Sequence, residues 1–204
     1  MFENKLFPFN LVNSMETPLT RQQLRRARQN LTIEQKQQES AQVLGRLFNM
    51  PQIQHAKMIA SYQSSNEELQ TKAINQTLEH GCQQYCLPIL HPFRPGHLLF
   101  QKHDSTTKMR RNKFGLDEPA LDARHVVPLK DVNVMLVPLV GFDDKCQRIG
   151  MGGGYYDRSL IWLNPSCITI GLAFECQKTT HIDVQAWDQS LDFVITSRQV
   201  WRRT

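Results

Sequence analysis

The sequence predicts an α/β fold: a three-layer α/β/α sandwich around a largely parallel central sheet, built as a single domain. Three observations lead there. Apolar runs of strand length alternate along the chain with longer segments of helical period. One run, VNVMLVPLV at 132–140, is apolar on both faces, as in a strand covered on both sides of a sheet. The 204 residues suffice for one domain with a sizeable core, and no internal repeat or low-complexity tract divides them.

The elements follow in order. Thr20 is a suitable N-cap for a helix over RQQLRRARQNL. Arg21, Arg25 and Arg28 share one face of it, and Leu24, Ala27 and Leu31 form an adjacent apolar stripe. Thr32 opens a second helix, with Gln35 completing a capping box and Ala41, Leu44, Leu47 and Phe48 as the buried side. KMIASY (57–62) reads as a strand. SSNEELQTKAINQTLEHG follows as a helix, capped by Ser65 with Glu68 and stopped by Gly81. QYCLPI (84–89) and LLFQKH (98–103) read as strands, and KMRRNKFGLDEPA as an aperiodic loop. The central strand at 132–140 is followed by a glycine-rich turn and a helix over YYDRSLIWL; CITIGLAF (167–174) and LDFVIT (191–196) close the chain as strands. This Rossmann-like order places a ligand beyond the carboxyl ends of the strands. Residues 1–19 read as a loose extension ahead of the domain at 20–204.

Composition narrows the function classes. The net charge of +5 suits a polyanionic partner or an ordinary solvated surface. Five scattered cysteines without a CxxC pair argue for a reducing compartment, with neither a disulfide framework nor a zinc site. No apolar run approaches a membrane span, and the first residues make a poor signal peptide, so the expected location is the cytoplasm.

The most informative stretch is RIGMGGGYYDRSL at 148–160. Glycine permits close backbone approach and positive φ, and a glycine-rich turn entering a helix offers free N–H groups to an anion. Gly150, Gly152, Gly153 and Gly154 fit that design, with Arg148 upstream as a forked cationic donor. The dinucleotide fingerprint fails at Tyr155, and no Lys-Ser or Lys-Thr follows, so this is a candidate phosphate loop of another type, with a plain glycine-rich hairpin as the alternative. Tyr156, Leu160 and Leu163 should face the core. Tyr155 should stand at the loop mouth, where its ring can stack on a flat heterocycle. Asp157 can hold a phosphate-bridging cation or serve simply as a first-turn acid.

FDDKCQRIGMGGGYYDR closely resembles the signature of the 5-formyltetrahydrofolate cyclo-ligases. RQQLR (21–25), NEELQT (66–71), KFGLDEP (113–119) and WDQSLDFVIT (187–196) resemble further landmarks of that family, in order, over about residues 20–197. The resemblance implies ATP- and Mg²⁺-dependent closure of 5-formyltetrahydrofolate to 5,10-methenyltetrahydrofolate. It implies ATP binding by Arg21, Gln22, Gln23, Leu24 and Arg25 and by Arg148, Ile149, Gly150, Met151, Gly152, Gly153, Gly154, Tyr155 and Tyr156. Met151 to Tyr155 would also touch folate, with Glu68 on the amino-pyrimidine edge and Gln63 near the substrate. Asp157 and Asp192 match the family's Mg²⁺-linked acids. One position departs: Cys146 stands where the family has glycine, and cysteine would adopt a positive φ there at some cost.

The expected partners are ATP and 5-formyltetrahydrofolate, with no nucleic acid and no membrane, and the chain is expected to act as a monomer. Lys108, Arg110, Arg111 and Lys113 could attract the glutamate tail of folate or form a solvated loop. Trp162, Trp187 and Trp201 read as packing residues. Three alternatives stay open on sequence: a nucleic-acid module using the arginine helix and the basic WRRT end, another enzyme on this architecture, and a family member that binds without turnover.

Overall fold

A computed structural model describes residues 18–204, so most of the expected extension lies outside the described residues. Helices α1 (Arg21–Gln29), α2 (Ile33–Phe48) and α3 (Pro51–Gln54) precede β1 (Met58–Ala60) and α4 (Lys72–His80). Next come β2 (Gln84–Leu90), β3 (Leu98–Lys102), β4 (Met109–Arg111), β5 (Asp117–Pro119), β6 (Val126–Val127) and β7 (Val134–Pro138). The chain ends with β8 (Gly141–Phe142), β9 (Arg148–Ile149), α5 (Tyr155–Leu160), β10 (Ile168–Leu172), β11 (Phe193–Ile195) and β12 (Val200–Arg202).

The main sheet runs β12-β11-β10-β7-β1-β2-β3-β6. The five strands β11, β10, β7, β1 and β2 are mutually parallel; β12 pairs antiparallel to β11 at one edge, and at the other β3 pairs antiparallel to β2 and β6 antiparallel to β3. The doubly apolar run becomes β7, flanked by β1 and β10, in accord with the expected central position. One face packs Ile59, Leu136 and Ile170 under α2, α3 and α4 through Val43, Leu47, Ile53, Ile74 and Leu78. The other packs Met135, Val137 and Val194 under α5 and the β8–β9 hairpin through Leu160 and Phe142, with Tyr156 and Leu163 alongside as expected. At the carboxyl ends of β1, β7 and β10, α1 is fastened to the segments that follow these strands, through Arg28 to Leu139 O and Glu67 and through Leu24 beside Gly141.

Both threonine capping boxes form, at Thr20 with Gln23 and at Thr32 with Gln35. Other expectations need correction. On α2 the buried side is Ser40, Val43 and Leu47, with Leu44 and Phe48 at its margin and Ala41 exposed. The helix expected from residue 64 begins only at Lys72. Ser64 and Thr71 exchange side chain-to-backbone hydrogen bonds at 3.1 Å, and Thr71 Oγ1 donates to Tyr62 O at 2.7 Å. These local bonds close 64–71 into a loop in competition with the helix. KMRRNKFGLDEPA is not a loop but the β4–β5 hairpin. Its stabilisation is polar, so it shows no apolar period: buried Glu118 accepts from Arg110 at 2.7 Å and from Leu90 N at 3.0 Å. The WRRT end is partly strand β12, and just beyond it Arg203 pairs with Asp192 at 2.6 Å. Trp201 packs on Phe142, whereas Trp162 and Trp187 are exposed rather than packed.

Cys146 has φ 58° and is the one non-glycine residue with positive φ among the described residues. It is fully buried, and burial pushes its thiol up to about 11. All five cysteines are free thiols. No helix among the described residues is long and apolar enough to cross a membrane.

Gly171 shows how tightly the sheet is packed beneath the site. A Cβ there would stand 2.5 Å from Leu139 Cδ2 and 2.7 Å from Leu191 Cδ1. Gly171→Ala is expected to cost about 1–3 kcal/mol through overpacking, read as a melting temperature several degrees lower. An unchanged melting temperature would contradict this packing.

Candidate functional site

The glycine-rich turn is held at both ends by one ion pair. Arg148 on β9 pairs with Asp157 in the first turn of α5. Its guanidinium is 3% exposed and Asp157 is 25% exposed, so the pair is largely withdrawn from water. The guanidinium expected to add charge for phosphate is thus engaged by Asp157. It lies beneath the turn, with Nη1 3.1 Å from where a Cβ on Gly150 would stand. Between the two residues, Gly152 and Gly154 take φ of 94° and 64°, which only glycine adopts without strain. Among the described residues no side chain caps the start of α5, so no capping group there competes for the first N–H donors. Met151 is exposed at the crest, and Ile149 is half-buried at the base.

α1 approaches the turn from the side. Leu24 is its fully buried anchor. Gln23 is committed to the Thr20 cap, and Gln22 is exposed. Arg21 Nη1 lies 3.5 Å from a Cβ placed on Gly152, so of the RQQLR segment it is Arg21 that reaches the turn. Arg25 points to Glu67, donating at 3.1–3.3 Å. Arg28 was expected on the same open face but is 1% exposed; it donates to Leu139 O and Glu67, both at 3.2 Å. Gln29 completes the cluster on Glu67 at 2.7 Å. Sequence reading missed Glu67, because a carboxylate next to the expected Glu68 carries no pattern of its own.

The 61–71 segment supplies the other wall. Glu68 Oε2 accepts from Ser65 N at 2.8 Å, half of the expected capping box, and the segment is a turn rather than a helix start. Gln63 is half-buried beside it. The hydroxyls of Tyr62 and Tyr156 are both buried without a hydrogen-bond partner among the described residues. Burial raises both phenols, and the Glu68 carboxylate raises them further. Two buried phenols within the field of one carboxylate leave unmet hydrogen-bonding capacity beside Glu68. Tyr62 was not expected in the site; its position at the carboxyl end of β1 was the available signal. Tyr155 stands at the mouth, edge-on to Phe114 with centroids 6.0 Å apart and planes at 88°. Phe114, at the tip of the β4–β5 hairpin, is exposed. Of the basic hairpin residues, Arg110 is tied to Glu118, while Lys113 lies over the Phe114 ring at 5.2 Å.

Asp192 does not join this site. It stands before β11, at the amino ends of the strands, where it accepts from Thr169 N and Oγ1 and pairs with Arg203. Among the described residues no group of three or more His, Cys, Asp or Glu could hold a metal ion.

The sequence model of the 5-formyltetrahydrofolate cyclo-ligase family matches residues 13–197. The chain is 39% identical over 181 residues to the 5-formyltetrahydrofolate cyclo-ligase of Haemophilus influenzae, covering 88% of this chain and 97% of that protein. It is 37% identical to the Escherichia coli K12 protein of the same name, covering 87% and 98%. The fold superposes on Aquifex aeolicus 5,10-methenyltetrahydrofolate synthetase with a TM-score of 0.77 at 26% identity, covering 89% of this chain and 90% of that one.

The Glu67 cluster gives a pH test. Hydrogen bonding from Gln29, then the Arg25 and Arg28 contacts, hold the Glu67 carboxyl below its ordinary 4.5 against the opposing cost of burial. A lowered carboxyl contributes stability that is full above its free value and is lost as pH falls through the lowered one. The melting-temperature gap between wild type and Glu67→Gln is therefore expected to be widest above the ordinary carboxyl value of 4.5 and to narrow as pH falls below it. A gap that does not change with pH would contradict the role given to Glu67.

Proposed function

Because the chain belongs to the 5-formyltetrahydrofolate cyclo-ligase family, we propose that it converts 5-formyltetrahydrofolate and ATP to 5,10-methenyltetrahydrofolate, ADP and phosphate. One observation carries the reading: the Glu68 carboxylate and the Arg148 guanidinium beneath the glycine turn both act on the buried Tyr156 phenol, and Glu68 acts on that of Tyr62, so the turn and the Glu68 segment lie together. This closeness supports a phosphate on the turn and a flat ring beside Glu68.

The residues divide the work. The amides of 150–154 hold the β- and γ-phosphates, with Arg21 beside them. Arg25 can join once phosphate outcompetes Glu67 for its guanidinium. Glu68 accepts the adjacent N–H donors of the amino-pyrimidine, and the two phenols satisfy the remaining polar edge of the pterin. Tyr155 and Phe114 bracket the aromatic part of the substrate at the mouth. Gln63 and Met151 border the same space.

The formyl oxygen is a poor leaving group as it stands. Transfer of the γ-phosphoryl to that oxygen releases ADP and makes it a good one. N10 then attacks the formyl carbon and loses its proton, the carbon–oxygen bond breaks, and phosphate departs. These steps need alignment and charge stabilisation more than covalent help from the protein.

The residues fit a Mg²⁺ ion held mainly by the nucleotide. Such ions combine one or two carboxylates with phosphate oxygens and water. Asp157 offers Oδ2, which takes no hydrogen bond from a described residue while Oδ1 holds Arg148. When bound, the ion would offset charge on the phosphates. Asp192, at the far end of the strands, would keep a structural role.

The direct assay mixes the protein, 5-formyltetrahydrofolate, Mg²⁺ and ATP and follows the absorbance of the methenyl product. An ATP-dependent rise is expected; ligand binding without any rise would overturn turnover. Glu68→Gln is expected to raise KM for the folate about 10–100-fold, the worth of a charged hydrogen-bond pair, and to leave KM for ATP within about twofold. Equal increases for both substrates would contradict the division of the site.

A further inference from the structure

Arg158 is absent from the roles assigned above, yet it makes a two-sided contact. Its Nε donates to Gly96 O at 2.8 Å, and its Nη2 donates to Gly153 O. Gly96 lies in the turn between β2 and β3, 62 residues away in the chain. Both contacts depend on missing side chains. A Cβ on Gly96 would stand 2.4 Å from Nη2, and one on Gly154 would stand 2.8 Å from Nη1. Both glycines also have positive φ, 80° and 64°. Among the described residues no carboxylate pairs with Arg158, so its fork is spent on two backbone carbonyls rather than on an ion pair.

We propose that Arg158 is a positioning residue: a clasp that holds the crest of the glycine turn against the β2–β3 turn, in the shape that receives phosphate. The Arg148–Asp157 pair fixes only the ends of the segment. Three of the residues between are successive glycines, which have more conformational freedom to lose than any other residue. Gly153 O is the point where Arg158 removes it. The anchor side is itself closed: His91 N donates to His97 O at 3.0 Å, and His91 Nδ1 accepts from Phe93 N and Arg94 N, both at 3.2 Å. A planar guanidinium can serve two carbonyls in fixed directions, whereas a lysine ammonium on its flexible stem cannot hold the same fork.

The kinetic arm of the test rests on the nucleotide reading of the turn; the exchange arm does not. Amide hydrogen exchange at 150–154 is measured on the full ligand-free chain for wild type, Arg158→Ala, Arg158→Lys and Gly96→Ala. KM for ATP and for 5-formyltetrahydrofolate is measured on the same proteins. All three variants are expected to exchange at least about 10-fold faster at 152–154, as local opening becomes easier. KM for ATP should rise about 10-fold, with KM for the folate within about twofold. The Arg158→Ala, Gly96→Ala double variant should match Arg158→Ala alone, because the added Cβ acts by dislodging the guanidinium. Wild-type exchange in Arg158→Ala would overturn the clasp, as would rescue of exchange and KM by Arg158→Lys, which would leave charge as the only requirement. If wild type bound no ATP, the functional reading would fail while the exchange result still decided the clasp.

Discussion

The structure of the site depends on a charge taken out of water. Arg148 is almost wholly buried, and among the described residues Asp157 is the one carboxylate that pairs with it. Removing one partner of such a pair costs about 3–5 kcal/mol, because the other charge is left unpaired. The pair also joins the residues before and after the glycine turn. A segment that would otherwise sample many backbone states becomes a closed ring with its ends fixed. Positive φ at Gly152 and Gly154 then sets the curvature of what lies between.

The sheet decides where that ring sits. β7 lies at the middle of the parallel strands, and the β8–β9 hairpin carries the chain from its carboxyl end to the turn. The loop after β1 opens at the same end and brings Tyr62, Gln63 and Glu68. α1 crosses that end and is locked there by Leu24, Arg28 and the cluster on Glu67. Glu67 and Glu68 are adjacent in sequence but serve different neighbours: one gathers the arginines, and the other faces the phenols. A pull on Arg25 by phosphate would therefore be felt one residue from the carboxylate proposed for the pterin.

Much of this was legible in the sequence, and the failures have physical causes. The doubly apolar run located β7, and the threonine caps located α1 and α2, because those signals are local. The glycine turn was legible because few other structures need so many glycines before a helix. What could not be read was which charge meets which. Arg148 and Asp157 were each singled out for a ligand, and the fold gives them to each other. Arg28 looked like the third member of an open basic face, but the helix turns it inward with Leu24. Asp192 carries the motif, yet it stands at the opposite end of the strands. The loop at 64–71 was mistaken for helix because Ser64 and Thr71 bond across it, a choice that helical propensity does not register.

The most direct test of this arrangement is the response of individual backbone amides to nucleotide in solution. On titration with Mg²⁺ and ATP, the nitrogen–proton resonances of Gly150, Gly152, Gly153 and Gly154 should move together and saturate, while that of Asp192 should stay in place. Movement concentrated elsewhere, with the four glycine signals unmoved at saturation, would contradict a phosphate-binding role for the pinned turn.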